Sequence, residues 1–320
     1  MPSSYPTTIA ERDSWILTRR PRRNALDPFR PYSFHVEDEC AATGEVVPIA
    51  TIFLTNRECP WRCLMCDLWR NTLASDTALG AIPAQIDYAL NRLPPARQLK
   101  LYNSGSFFDR KAIPLEDHAS IADRVTNFER SIVECHPALV GDDCWRFRDR
   151  LSGTLEVAMG LETVHPETLS RLNKRMSVDQ FATAADLLLK HDVDLRVFIL
   201  VKPPFMREEK ALEWAARSLE FAFDCGATAA TLIPTRGGNG AMEELATSGD
   251  FSPPTLATVE AAAAYGIKLR RGRVFTDLWD LRRSTTCEHC HQQRIARLHS
   301  MNIGQTILPF VVCQHCGGNR

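Results

Sequence analysis

An α/β chain of repeated strand–helix units, ending in a small metal-binding module, is what the sequence predicts, and three observations predict it. From Ile49 onward short apolar runs alternate with longer stretches of helical periodicity, the pattern of βα units on a parallel sheet. The first of those runs empties into Cys59, Cys63 and Cys66, spaced C-x3-C-x2-C. Near the end, Cys287, Cys290, Cys313 and Cys316 make two C-x2-C knuckles separated by 22 residues.

With 320 residues, 44% of them hydrophobic, and a net charge of −1, the chain can bury one large core with something small at an end. No run of eighteen apolar residues and no signal pattern is present, so a cytoplasmic protein with no membrane contact is expected, and its eleven cysteines point to metal rather than disulfides. Charge is unevenly placed. Residues 1–30 carry six arginines, among them Arg19, Arg20, Arg22 and Arg23, against Glu11, Asp13 and Asp27. Residues 266–320 carry nine Lys or Arg against three acids, which leaves the middle strongly acidic. Basic ends around an acidic centre suit a polyanionic partner, and equally a solvated surface.

Taken in order, residues 1–47 read as an irregular basic leader broken by Pro21, Pro28 and Pro31. Six strands follow at about 49–55, 98–103, 130–135, 154–160, 194–201 and 228–234. Helical patterns lie at about 83–92, 116–127, 142–150, 177–190, 207–224 and 253–265. Ser177 with Gln180 forms a capping box at the start of one of them. These units place a βα domain over 48–268 and the four-cysteine module over 269–320. A barrel and a flavodoxin-like sheet both satisfy six βα units. In a barrel the residues just after each strand carry the chemistry.

Three thiolates in one loop cap three irons of a cubane and leave the fourth iron open to a substrate or cofactor. Zinc is the competing ligand for such a loop. After the second strand comes Asn103-Ser104-Gly105, a turn of small residues. Glu134 ends the third, and Gly160 and Glu162 end the fourth. After the sixth, Arg236 opens a run with Gly237, Gly238 and Gly240, which suits close backbone approach to a ligand and makes Arg236 a candidate clamp for a carboxylate or phosphate. Cys287, Cys290, Cys313 and Cys316 read as a zinc ribbon that folds its segment, with an auxiliary iron–sulfur cluster as the alternative. Cys40, Cys135, Cys144 and Cys225 have no spacing partners and read as small buried apolar residues.

Asn56 to Trp69, Leu101 to Asp109 and Gly160 to Thr163 together resemble the radical S-adenosylmethionine (radical SAM) superfamily, and within it the archaeosine-synthase subunit, its bacterial relatives and the elongator-catalytic-subunit and methylthiotransferase subgroup. The likeness runs from about Ile49 to Arg297. It implies a partial (β/α)6 barrel related to the TIM barrel. It also implies a 4Fe–4S cluster on Cys59, Cys63 and Cys66, with SAM bound at its open iron near Asn103, Ser104, Gly105, Glu134, Gly160 and Glu162. Glu162 and Arg236 become the candidate catalytic residues. The implied chemistry is reductive SAM cleavage to a 5′-deoxyadenosyl radical for C–H activation, fed by a donor such as flavodoxin or ferredoxin, on a 7-deazaguanine nucleoside in tRNA. A small-metabolite substrate and a non-catalytic metal-ribbon module stand as alternatives. Two departures from the family pattern are Met65, where an aromatic residue is usual, and the lack of an acid in the Asn103–Gly105 turn.

Overall fold

The structure, a computed structural model, describes residues 5–284 and 287–316. Its frame is one sheet whose eight strands lie in sequence order: β1 (Ser33–Cys40), β2 (Val46–Phe53), β3 (Gln98–Tyr102), β4 (Arg130–Glu134), β5 (Thr154–Glu162), β6 (Asp194–Val201), β7 (Ala229–Pro234) and β8 (Arg273–Thr276). β1 runs antiparallel to β2, and every later pairing is parallel. β1 and β8 do not pair with each other, so the sheet curls into a partial barrel that stays open along one side. The six strands expected from the apolar runs are β2 to β7.

Ten α-helices surround the sheet: α1 (Ile9–Arg19), α2 (Ala81–Leu90), α3 (His118–Val125), α4 (Asp142–Arg148), α5 (Pro166–Arg171), α6 (Val178–Lys190), α7 (Glu208–Asp224), α8 (Ala241–Thr247), α9 (Leu256–Leu269) and α10 (His291–Gly304) among the described residues. Ser177 and Gln180 do form a reciprocal capping box on α6. The outward residues of the strands, such as Leu99, Leu101, Val157 and Val197, pack with Ile86, Phe181, Leu188 and Leu219 of the helices in one continuous apolar core.

The inward residues are layered. Ile49, Ile132 and Ala158 form an apolar middle with Tyr102 and Phe198 against it. Beneath them lies a buried ionic floor. Arg196 donates to Glu156 (2.5 Å) and Glu39 (2.6 Å), Lys100 donates to Glu39 (2.5 Å), and Arg130 and Arg273 also donate to Glu156. Several well-made charge-assisted bonds per carboxylate offset the desolvation that an isolated buried charge would suffer. Above the middle, Glu134 and Glu162 face the mouth at the C-terminal strand ends.

Two expectations need correction. Residues 1–47 are not irregular, since they hold α1 and β1. β1 escapes an apolar-run search because its inward positions are the polar residues His35, Glu37 and Glu39, of which Glu37 and Glu39 accept from Lys100 of the ionic floor. The four-cysteine segment is not appended to a finished barrel either. β8 adds to the sheet beyond residue 268, and α10 lies against both edge strands, β1 and β8. Its Asn302 and Gln305 side-chain amides bond the backbone N–H and C=O of Thr276 and Val274, occupying an edge that would otherwise be free to pair with another chain. Arg294 and Arg297 anchor the same helix to the buried Glu260 of α9.

Candidate active site and a four-cysteine metal centre

Cys59, Cys63 and Cys66 lie in the loop leaving β2, and burial pushes each thiol up to about 12. Thiols held that far from ionisation become thiolates when a metal takes the proton's place. The loop is braced from three sides. On one, Leu64 N–H donates to Leu172 O (2.9 Å) and Asn173 Nδ2 donates to Arg62 O (2.8 Å). On the second, Asn239 of the glycine-rich run donates to Leu64 O (2.7 Å) and Cys66 O (3.1 Å), while its Oδ1 accepts from Met242 N–H.

The third brace comes from the N-terminal segment. Glu58, next to Cys59, accepts from Arg20 (2.6 Å), Arg23 and Arg62 (3.0 Å). Tyr5, Trp15 and Ile16 pack with Leu64, Ala241, Met242 and Leu245 in a small separate core, and Met65 lies against it. Gly240 has a positive φ of 85°, and a Cβ there would strike the carbonyl of Arg19. Its glycine admits the N-terminal segment.

The strand ends converge on this loop. Glu134 accepts the backbone N–H of Asn103 (2.7 Å) and Ser104 (2.9 Å), and burial raises its carboxyl to about 7. Glu134 thus braces the Asn103–Gly105 turn from the neighbouring strand. That turn touches the cysteine loop, because a Cβ on Gly105 would lie 3.2 Å from Cys59 Cβ. Tyr32 joins it through a hydroxyl contact with Ser104 (3.2 Å).

At the end of β5 a bulge between Gly160 and Glu162 turns Glu162 into the left-handed region, at φ 66°. Its carboxylate accepts from Lys174 (2.5 Å), both groups being buried, and a Cβ on Gly160 would collide with both. Gly160 thus makes room for an ion pair. His136 accepts from Ala138 N–H through Nδ1, which leaves Nε2 to donate to Lys174 O (3.1 Å), and Trp61 of the cysteine loop stacks on the ring at 3.7 Å. Arg236 lies at the end of β7 but is bound to Asp277 (2.9 Å) after β8, so it pins two strand ends and is not a free clamp.

The donor set fits an open cluster better than a single ion. Among the described residues only Cys287, Cys290, Cys313 and Cys316 bring their ligand atoms all within 4.8 Å of one another. Cys59, Cys63 and Cys66 offer three soft thiolate donors with no fourth cysteine in their loop, which suits a cluster with one open iron. Beside them the Asn103 amide is fully buried, and neither its Nδ2 nor its Oδ1 has a protein partner. An orphaned amide at the mouth suits a polar ligand such as SAM. At the other site Sγ of Cys287 and Cys313 are 3.9 Å apart and those of Cys290 and Cys316 are 3.7 Å apart. Four thiolates about 2.3 Å from one tetrahedral zinc stand roughly 3.8 Å from one another.

No protein-family profile matches the chain. It is 22% identical over 251 residues to an uncharacterised protein of Methanocaldococcus jannaschii, covering 73% of this chain and 69% of that protein. It is also 26% identical over 220 residues to archaeosine synthase subunit beta of Methanosarcina acetivorans, covering 64% of this chain. The chain is a relative of archaeosine synthase subunit beta. A second such subunit, from Thermococcus kodakarensis, matches at 26% identity over 127 residues. The matches span 63% and 39% of those two subunits. The resemblance drawn from the cysteine loop and the strand ends is borne out by these relatives. Among solved structures, methylornithine synthase matches at a TM-score of 0.49 and 12% identity, over 79% of this chain and 80% of that one. The Elp3 protein of Methanocaldococcus infernus matches at 0.47 and 15%, over 62% and 51%.

Several site residues have no sequence signal of their own. Asn239, Glu58 and Tyr32 hold the site through partners far along the chain, Asn239 across 175 positions.

Proposed function

We propose that the protein is a radical SAM enzyme that activates a C–H bond in a modified tRNA nucleoside. The observation that carries this is the open cysteine triad at the mouth of a partial barrel, braced from three sides and faced by an unpartnered buried amide. Cys59, Cys63 and Cys66 would hold a 4Fe–4S cluster. Asn103, the Ser104–Gly105 turn shaped by Glu134, and the Glu162–Lys174 pair line the space for SAM's polar groups. When bound, cluster and cofactor supply reductive cleavage of SAM to methionine and a 5′-deoxyadenosyl radical. The chain's own part is to hold the reacting atoms close and dry. Its devices are the N-terminal brace, the Trp61–His136 stack and the backbone gap at Gly160.

The substrate class rests on archaeosine synthase as a relative and on the basic termini. Cys287, Cys290, Cys313 and Cys316 are assigned to one structural zinc, on the sulfur spacing. Anaerobic reconstitution followed by iron, sulfide and zinc assay tests both sites. About four irons and four sulfides per chain are expected, falling to background when Cys59, Cys63 and Cys66 are all changed to Ala while zinc stays. Equal iron in the triple variant would refute the assignment, and further iron and sulfide in place of zinc would replace the ribbon with a second cluster.

A further inference from the structure

We propose that Lys174 is a positioning residue that sets the reduction potential of the cluster held by Cys59, Cys63 and Cys66. This rests on the cluster assignment above. Lys174 follows Asn173, whose side chain bonds the carbonyl of Arg62 inside the cysteine loop, so its place relative to the sulfurs is fixed by backbone. Its ammonium is fixed in turn by Glu162 at 2.5 Å, in the space that Gly160 leaves open, and water reaches neither group freely. Lys174 O also accepts from His136 Nε2 (3.1 Å), whose ring stacks on Trp61, and Leu172 O accepts from Leu64 N–H (2.9 Å), so the cysteine loop meets this stretch on both sides of Cys63.

Reduction adds one electron, from a low-potential donor, and thus one negative charge to the cluster. A fixed cation in a buried, weakly screened setting favours that added charge, so it raises the potential and makes the electron easier to deliver. Glu162 has the opposite sign, so removing its charge should move the potential in the opposite sense.

The test is a redox titration followed by electron paramagnetic resonance on the anaerobically reconstituted full chain, without SAM and after iron and sulfide have been counted. Lys174→Met keeps the length and removes the charge. At matched cluster content and at the wild-type midpoint, its ratio of reduced to oxidised cluster should fall at least tenfold, a shift of 59 mV or more for a one-electron couple. Lys174→Arg should recover most of that ratio, and Glu162→Gln should move the midpoint the other way. A merely structural pair would not give opposite signs. A fully loaded Lys174→Met that titrates with wild type overturns the inference, as does a Glu162→Gln midpoint displaced in the same direction as Lys174→Met. If Lys174→Met fails to load, the Glu162→Gln shift alone decides. A wild-type chain that takes up no iron or sulfide overturns the cluster assignment and this inference with it.

Discussion

Glu134 is the residue whose chemistry can be read most directly from its surroundings. Its carboxyl rises from an ordinary 4.5 to about 7 because burial outweighs the backbone N–H groups of Asn103 and Ser104. The folded chain therefore holds this proton more tightly than the unfolded chain does. The stability linked to it is complete below about pH 4.5 and is lost as pH rises through about 7. Glu134→Gln cannot ionise, so its stability relative to wild type should increase between about pH 5 and pH 8, by at most ~3 kcal/mol. Denaturant midpoints of both proteins at the two pH values measure this, and a constant difference would contradict it. Cys59, Cys63 and Cys66, read from their spacing, and Gly160 and Glu162, read from the end of their strand, are brought to the same mouth through the Asn173–Arg62 and Glu162–Lys174 contacts. Arg236 was legible as a residue but not as a role, since Asp277, which engages it, arrives from another strand end.

Among the elements that a search for apolar runs could not place are α1 and α10. The segment preceding β1 was read from its prolines and arginines, yet Trp15 and Ile16 of α1 cover Leu64, and Arg20 and Arg23 meet Glu58. Deleting residues 1–24 should leave the barrel folded but let air bleach the reconstituted cluster several-fold faster, as followed by its visible absorbance. An unchanged bleaching rate would show that α1 does not shield the loop. The C-terminal knuckles were legible from spacing alone, while the place of α10 between β1 and β8 depends on Asn302, Gln305 and Glu260, which no local pattern marks. Cys290→Ser should accordingly weaken the barrel as well as the four-cysteine site, by about 3 kcal/mol. Faster hydrogen exchange at the Val274 and Thr276 amides would report it. Unchanged exchange there would mean that α10 stays docked without metal.

Across the whole molecule, charge that looks free in the sequence is largely committed in the fold. Arg20 and Arg23 serve Glu58, Arg294 and Arg297 serve Glu260, and Arg130, Arg196 and Arg273 serve the ionic floor. Arg22, Lys268, Arg270 and Arg282 remain exposed. A polyanion would meet fewer cations than the basic termini suggest, so net charge is a weaker guide to the partner than the cysteine triad is to the chemistry. No described helix is long and apolar enough to cross a membrane. The radical chemistry is the central claim, and product analysis tests it most directly. Protein loaded anaerobically with its cluster, then incubated with SAM and dithionite, should release 5′-deoxyadenosine and methionine in equal amounts, and the Cys59, Cys63 and Cys66 triple variant should release neither. A fully loaded wild-type chain that yields no 5′-deoxyadenosine would contradict the account.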